Sequence, residues 1–520
     1  GVHEFGLRRS LALLLGPLLV IEGLLQRVTG RAPGTWAALS GSAPGGTAAA
    51  ATIALLFMAS LLAIFRAYLV DDSFITFRFA RNLAEGHGVT WNPGEPPVEG
   101  YSNFLWMILS AGALRAGLDP LLVARLLAIA SDLLAALAVY RLARSLSGSA
   151  PAARLSLIVF AAVPAFALWT MSGLETALTV LLALTFFLAC AREFPGTALP
   201  WRTAACADLL VLARPEAPLF VGLALVPLLL APAPGRGRWV ARFGMLASPV
   251  VLAYGVWKWR TFGTIVPNTA SAKAQPFAGI LLSLEFFALV FPLLAAWAVR
   301  MARGTALLVE QQVMAVAAGF LLAALNVRPQ VGHDYRFFLP ILAPMLALAG
   351  IYLTDPGGTP EPRPAASWWR AGAFGLVLAY AILPVFTMTV YADREARGLR
   401  QAHFDVGRAL ARSYGPSDVL AASDCGIIPY LSHMTTIDIW GLTDRRIGTR
   451  GFSSAYVLAR KPDVIILHSY FPDTFRGREA YDQLLHDAIA GDASYRVAGR
   501  WEFYGYWLWV YAKRPLRPSS

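Results

Sequence analysis

Two adjacent acids, Asp71 and Asp72, open the most informative stretch of this chain, LVDDSFITFRFARNLAEGHGVTWNPGEPPVEGYSNFLW, residues 69–106. They stand at the end of an apolar run. A carboxylate held there can take a proton from a hydroxyl during displacement at a sugar carbon, or can bind a cation. The same pattern also suits a helix N-cap with an acidic first turn. Phe74, Phe77, Arg78, Arg81 and Asn82 follow at helical spacing, which predicts an amphipathic helix lying on a membrane with its aromatics down. Ionisable groups recur beside other apolar runs, in Ser172-Gly173-Leu174-Glu175 and Arg214-Pro215-Glu216. Either is a functional site or simply a helix start, and Ser172 with Glu175 fits a capping box. The segments VPNTASAKA, with Asn268 and Lys273, and Gly332-His333-Asp334-Tyr335-Arg336 add cations that can snorkel or hold a phosphate. His333 beside Asp334 lacks metal-site spacing, so no metal centre is expected.

Positioning these residues is a task for membrane helices. Of the 520 residues, 57% are hydrophobic and 15% charged, against roughly 25% charged in soluble proteins. The net charge of +12 comes in small arginine clusters between long apolar runs, without the basic stripe that nucleic acid would need. The three cysteines form neither a disulfide framework nor a CxxC pair. No Walker loop, dinucleotide turn or nucleophile elbow appears, so a soluble nucleotide donor has no cradle.

Eleven apolar runs are expected to span, near residues 48–66, 120–140, 155–171, 175–191, 203–213, 216–233, 240–257, 277–299, 305–326, 337–353 and 370–391. Asn103 to Ala113 is too short to cross and reads as re-entrant or interfacial. Arginines cluster at every second junction, which marks those junctions as cytoplasmic and turns the acid-bearing ones outward. Residues 1–47 read as an extension whose segment 8–25 is an uncleaved hydrophobic stretch, and 48–391 as the membrane domain with a first outer loop at 67–118. From 392 to 520 charges become frequent and strand-length runs alternate with helical ones, as in an open α/β sheet. Asp424, Asp438, Trp440 and Asp444 fall at its strand ends, suited equally to packing, capping or acceptor binding.

The sequence resembles the C-type (GT-C) membrane glycosyltransferases, in the polyprenyl-phosphate-dependent branch that includes terminal arabinofuranosyltransferases. The carriers are VDDSFITFRFARNLAEGHGVTWNPGE, VEGYSNFLW, SGLETAL, ARPEA, VPNTASAKA, YRFFLPILAP and SDCGIIPYLSHMTTIDIWGLTD. The resemblance implies a multi-pass α-helical membrane protein of about eleven helices with a C-terminal soluble α/β domain, in a bacterial inner membrane. It implies inverting transfer of a sugar, arabinofuranose among the options, from a polyprenyl-phosphate donor to an outer glycan, lipid or protein. Asp71 or Asp72 would be the base, with Asp71 favoured, and Lys273, Arg336 and Arg214 would face the donor phosphate. Glu175, Glu216, Asn268, His333 and Tyr101 would line the pocket or meet the acceptor. No cofactor is implied, and a divalent cation is compatible with the acid pair. The competing reading, a transporter or flippase of a lipid-linked sugar, would place charges in mid-helix, where Asp132, Asp208 and Glu285 are candidates.

Overall fold

The computed structural model describes residues 45–273, 276–326, 333–354 and 382–517. The proposed extra segment at 8–25 and most of the run 370–391 lie outside them. The membrane part comprises α1 (Gly46–Phe65), α2 (Asp72–Ala84), α3 (Phe104–Arg115), α4 (Pro120–Ser147), α5 (Ala150–Ala162), α6 (Pro164–Met171) and α7 (Thr176–Glu193). It continues with α8 (Trp201–Ala213), α9 (Ala217–Leu230), α10 (Arg236–Phe262), α11 (Asn268–Lys273), α12 (Ile280–Ala302), α13 (Leu308–Ala324), a 3-10 turn (His333–Phe338) and α14 (Leu339–Thr354). Local chemistry sets several boundaries. Asp119 caps α4 by accepting the Leu122 N–H at 2.7 Å, and Gly148 closes the helix with φ 64°. Pro164 brings no N–H and holds Val163 extended, so α5 and α6 meet at a 53° bend.

Six helices among the described residues are long and apolar enough to cross a membrane, or seven if the bent α5–α6 pair counts as one span. This corrects the expected eleven. The runs at 203–213, 216–233 and 305–326 become helices of 13, 14 and 17 residues, about 20–26 Å long at 1.5 Å per residue against a hydrocarbon core of about 30 Å. Apolar composition marked them correctly as helices, while the Arg214-Pro215-Glu216 break cut two of them short. Helix α3, with 12 residues, is also short of a span.

The C-terminal part begins with a continuous helical stretch: α15 (Val385–Gly398), a π-helical turn (Leu399–Phe404) and α16 (Asp405–Ser413). After β1 (Val419–Ala422) come α17 (Ile427–Ser432), β2 (Thr435–Asp438), α18 (Arg445–Arg450), α19 (Ser454–Ala459), β3 (Val464–Ser469), α20 (Ala480–Ile489), β4 (Arg496–Phe503) and β5 (Tyr506–Ala512). The sheet order is β2-β1-β3-β5-β4. β2, β1 and β3 run parallel, and the β4–β5 hairpin is added antiparallel on β3.

The two parts share a core. Phe74, Phe77 and Trp106 of the first loop pack with Leu399, Val406, Ile427 and Ile428 of the α/β part. Helix α2 therefore does not lay its aromatics on lipid: Phe74 meets Phe404 at 5.8 Å and Tyr430 at 5.3 Å between ring centroids. Arg78, only 2% exposed, donates to the carbonyls of Pro429 and Met434, each at 2.8 Å, and to Asn92 Oδ1 at 2.9 Å. A buried guanidinium with this many acceptors stitches the loop to the domain.

Candidate functional site

The site is built on the two faces of α2. Residues 72, 76 and 79 are about one turn apart and share one face, while 71, 74 and 78 share the other. On the first face the Thr76 hydroxyl donates to Asn103 Oδ1 at 3.0 Å, and the Asn103 amide donates to Glu175 Oε2 at 2.6 Å. Glu175 is fully buried and receives Arg214 Nη1 at 2.5 Å and Arg336 Nη2 at 3.1 Å. Burial alone would push its carboxyl up, but the Arg336 and Arg214 guanidiniums and the Asn103 amide hold it down at about 2. Arg214 also binds Glu216 through Nε at 2.7 Å.

These cations head a cavity of about 860 Å³. Arg214, Lys258 and Arg336 line it together with apolar residues such as Leu252, Val256 and Val266. Lys258 pairs with Glu99 at 2.9 Å, both side chains being buried. Burial raises the Glu99 carboxyl to about 7 against the opposing pull of Lys258. Arg336 stacks over Trp169 at 5.2 Å, and its Nε is buried without a hydrogen-bond partner among the described residues.

On the other face, Asp71 does not cap its own helix. Its Oδ2 and Oδ1 accept the backbone N–H groups of Gly426 at 2.9 Å and Ile427 at 2.8 Å, at the start of α17. The approach is so close that a Cβ at Gly426 would lie 2.0 Å from the Asp71 carbonyl oxygen. Beneath this contact Asp424 Oδ2 accepts His403 Nε2 at 2.7 Å and His468 Nε2 at 3.0 Å. Burial pushes the Asp71 carboxyl up and Asp424 adds to that, against His403, so that it reaches about 6. The Asp424 carboxyl is held well below its usual range because two imidazoles outweigh its burial. The grip lies at the carboxyl ends of β1 and β3, where the strand order reverses, the place where open α/β sheets bind ligands. Here part of the chain itself occupies it.

Of the residues singled out by sequence, Glu175, Arg214, Glu216 and Arg336 come together at the cavity. Asp72 stands one turn before Thr76 on α2, and Asp71 turns its carboxylate to the α/β domain. Asn268 instead donates to the carbonyls of Gly441 at 2.6 Å and Leu442 at 2.9 Å, fastening α11 to the α/β domain. Tyr101 packs edge-on to Phe79 at 5.1 Å, away from the cavity lining. The side chains of Lys273 and His333 lie outside the described residues. Asp438 accepts the N–H groups of Trp440, Gly441 and Thr443, and Asp444 caps α18 through Ile447 N, so both shape loops. Among the described residues no cluster of His, Cys, Asp and Glu is arranged to hold a metal ion. The sequence reading missed Lys258, Asn103, Glu99, His403 and His468. A lysine near the end of an apolar helix and a histidine in an apolar strand were the available signals.

Residues 391–511 match a family described as a domain of unknown function (DUF8728). Over 226 residues the chain is 33% identical to the terminal beta-(1->2)-arabinofuranosyltransferase of Mycobacterium tuberculosis, covering 40% of this chain and 35% of that protein. The match thus spans about a third of the curated relative's length. Among solved structures, ArnT from Cupriavidus metallidurans bound to undecaprenyl phosphate superposes with a TM-score of 0.61 at 14% identity, over 89% of this chain and 99% of that one. The arabinofuranosyltransferase AftD from mycobacteria gives 0.52 at 16% identity, over 88% of this chain and 39% of that one. The archaeal oligosaccharyltransferase AglB from Archaeoglobus fulgidus, in complex with an inhibitory peptide and a dolichol-phosphate, gives 0.54 at 12% identity, over 79% and 69%. The chain shares the fold of these solved structures: a multi-pass helical membrane domain carrying an α/β domain.

Proposed function

We propose that this protein is a glycosyltransferase of the bacterial inner membrane that moves a sugar from polyprenyl phosphate to an acceptor hydroxyl on an outer glycan, lipid or protein. The observation that carries the reading is the cavity: an apolar space of a size suited to a lipid chain, lined also by the cationic Arg214, Lys258 and Arg336. The comparisons support the same reading, since ArnT is bound to undecaprenyl phosphate and AglB to a dolichol-phosphate. Arginines at the far ends of the spans, among them Arg141, Arg144, Arg236, Arg238, Arg300 and Arg303, favour that end as cytoplasmic and the site as outer.

The chemistry follows from charge. The acceptor oxygen attacks the anomeric carbon, the bond from that carbon to the phosphate oxygen breaks with its electron pair, and the hydroxyl proton passes to a carboxylate. The phosphodiester leaves as a monoester with additional negative charge, which cations fixed beforehand stabilise more than they stabilise the donor. Displacement from the opposite side inverts the anomeric centre. We assign the base to Asp72, one turn before Thr76, whose hydroxyl donates to Asn103, and a holding role to Asp71, whose two oxygens accept N–H groups of the α/β domain. Glu175 keeps Arg214 and Arg336 in place. Lys273 stays a proposed phosphate ligand, and arabinofuranose is the donor sugar to try first, given the name of the mycobacterial relative.

The test is in-vitro transfer by the purified full chain from short-chain polyprenyl-phosphate sugars, arabinofuranose included, to a panel of acceptor glycans. Product with inverted anomeric configuration supports the proposal. Failure with every donor, together with translocation of an intact lipid-linked sugar across vesicles, would replace it with the transport reading.

A further inference from the structure

A second cavity, of about 240 Å³, lies where the end of α1, the first turns of α4 and the helical stretch 385–404 meet, and it shares no lining residue with the cavity above. Three guanidiniums line it, Arg66, Arg125 and Arg400, beside Leu69, Leu121 and Phe404, and its lining contains no acidic side chain. Arg125 is held in place, donating through Nη2 to the Tyr68 carbonyl at 2.6 Å and through Nε to the Met171 carbonyl at 3.1 Å. Arg66 and Arg400 are exposed. Asp119, the N-cap of α4, accepts the Leu122 N–H and is a counter-charge to Arg125 alone of the three.

Three cations around one opening repel one another, and an anion with several acceptor oxygens removes that cost while satisfying the guanidinium forks. The depth identifies the kind of anion. Arg66 directly follows the last residue of α1, and Arg125 stands one to two turns inside α4, about 7–8 Å along its axis. Both helices are long and apolar enough to span. The three charges therefore lie at headgroup level, with leucines and a phenylalanine where acyl chains begin. We propose that this cavity binds the phosphate of an anionic membrane phospholipid, separately from the donor cavity. The inference rests on α1 and α4 crossing the membrane and not on the proposed transfer reaction.

Native mass spectrometry of the full chain in detergent tests it, with dioleoyl phosphatidylglycerol and dioleoyl phosphatidylcholine as probes. Wild type should retain phosphatidylglycerol in preference to phosphatidylcholine. Arg66→Gln with Arg400→Gln, two exposed positions, should weaken that retention about 25-fold without changing thermal unfolding, since each basic group near a lipid surface contributes on the order of a factor of five. Arg66→Lys with Arg400→Lys should restore it. Equal retention of the two lipids, or undiminished phosphatidylglycerol binding in the Gln variant, would overturn the proposal. Displacement of the lipid by millimolar inorganic phosphate would overturn the lipid assignment, because it identifies a site for free anions.

Discussion

Glu175 is fully buried and Asp71 half-buried, and the surroundings of these two carboxylates drive them in opposite directions. Glu175 meets two guanidiniums and a side-chain amide and is ionised down to about 2. Asp71 meets backbone N–H groups and another carboxylate, and its burial lifts it to about 6. A group depressed from 4.5 to about 2 contributes stability above pH 4.5 that is lost as pH falls towards 2. A group raised from 3.8 to about 6 contributes stability below pH 3.8 that is lost as pH rises through 6. The cavity side of the molecule is thus fastened by charge, whereas the α/β side is fastened by shape and backbone donors.

Breaking the charged side should have the largest effect. Glu175→Gln leaves Arg214 and Arg336 without their shared counter-charge, and disrupting a buried pair in this way costs about 3–5 kcal/mol. Thermal unfolding in detergent should register the loss, and acidifying wild type from pH 4.5 towards 2 should reproduce part of it. Unchanged unfolding in both would show that the cluster carries no stability.

Breaking the shaped side should cost less. At Gly426→Ala the new Cβ meets the backbone and carboxylate of Asp71, and overpacking of this kind costs about 1–3 kcal/mol. Faster hydrogen exchange in 426–432, with the cavity-side helices unaffected, is the expected pattern. Uniform destabilisation would mean that the two sides are not separable. Asp71→Asn should show its stability difference from wild type growing between pH 3.8 and 6 and flat above, a profile that Glu175→Gln should lack.

The smallest effect sharpens the cavity side itself. Glu99, raised to about 7, offsets Lys258 when ionised. Donor KM should therefore rise several-fold as pH increases through 7, since the charge facing the donor phosphate falls. In Glu99→Gln that dependence should vanish and donor KM stay low. A variant with the wild-type pH profile would remove Lys258 from the phosphate site.

The sequence exposed these two sides unequally. Charges next to apolar runs are costly in a membrane, so Glu175, Arg214, Glu216 and Arg336 stood out and do meet at one cavity. The parallel strands were legible from the strand-length runs 419–422, 436–439 and 463–467, but β4 was not, because Arg496, Arg500 and Glu502 interrupt it. Span number was overestimated because hydropathy measures composition and not helix length. The use of Asp71 was hidden for a different reason: its partners Gly426 and Ile427 lie more than 350 residues away and act through backbone N–H groups, which leave no mark on residue type. His403 was equally silent inside a continuous helical pattern.

The division of labour between the two faces of α2 is tested most directly by comparing Asp72→Asn and Asp71→Asn in transfer from a polyprenyl-phosphate sugar, each with thermal unfolding alongside. Asn keeps the shape of Asp and removes the base, whose loss typically costs 10²- to 10⁴-fold in rate. The account predicts that Asp72→Asn loses turnover on about that scale with wild-type unfolding, while Asp71→Asn keeps most of its turnover and shifts unfolding. Full activity in Asp72→Asn, with turnover abolished in a well-folded Asp71→Asn, would contradict it and move the base to the face that grips the α/β domain.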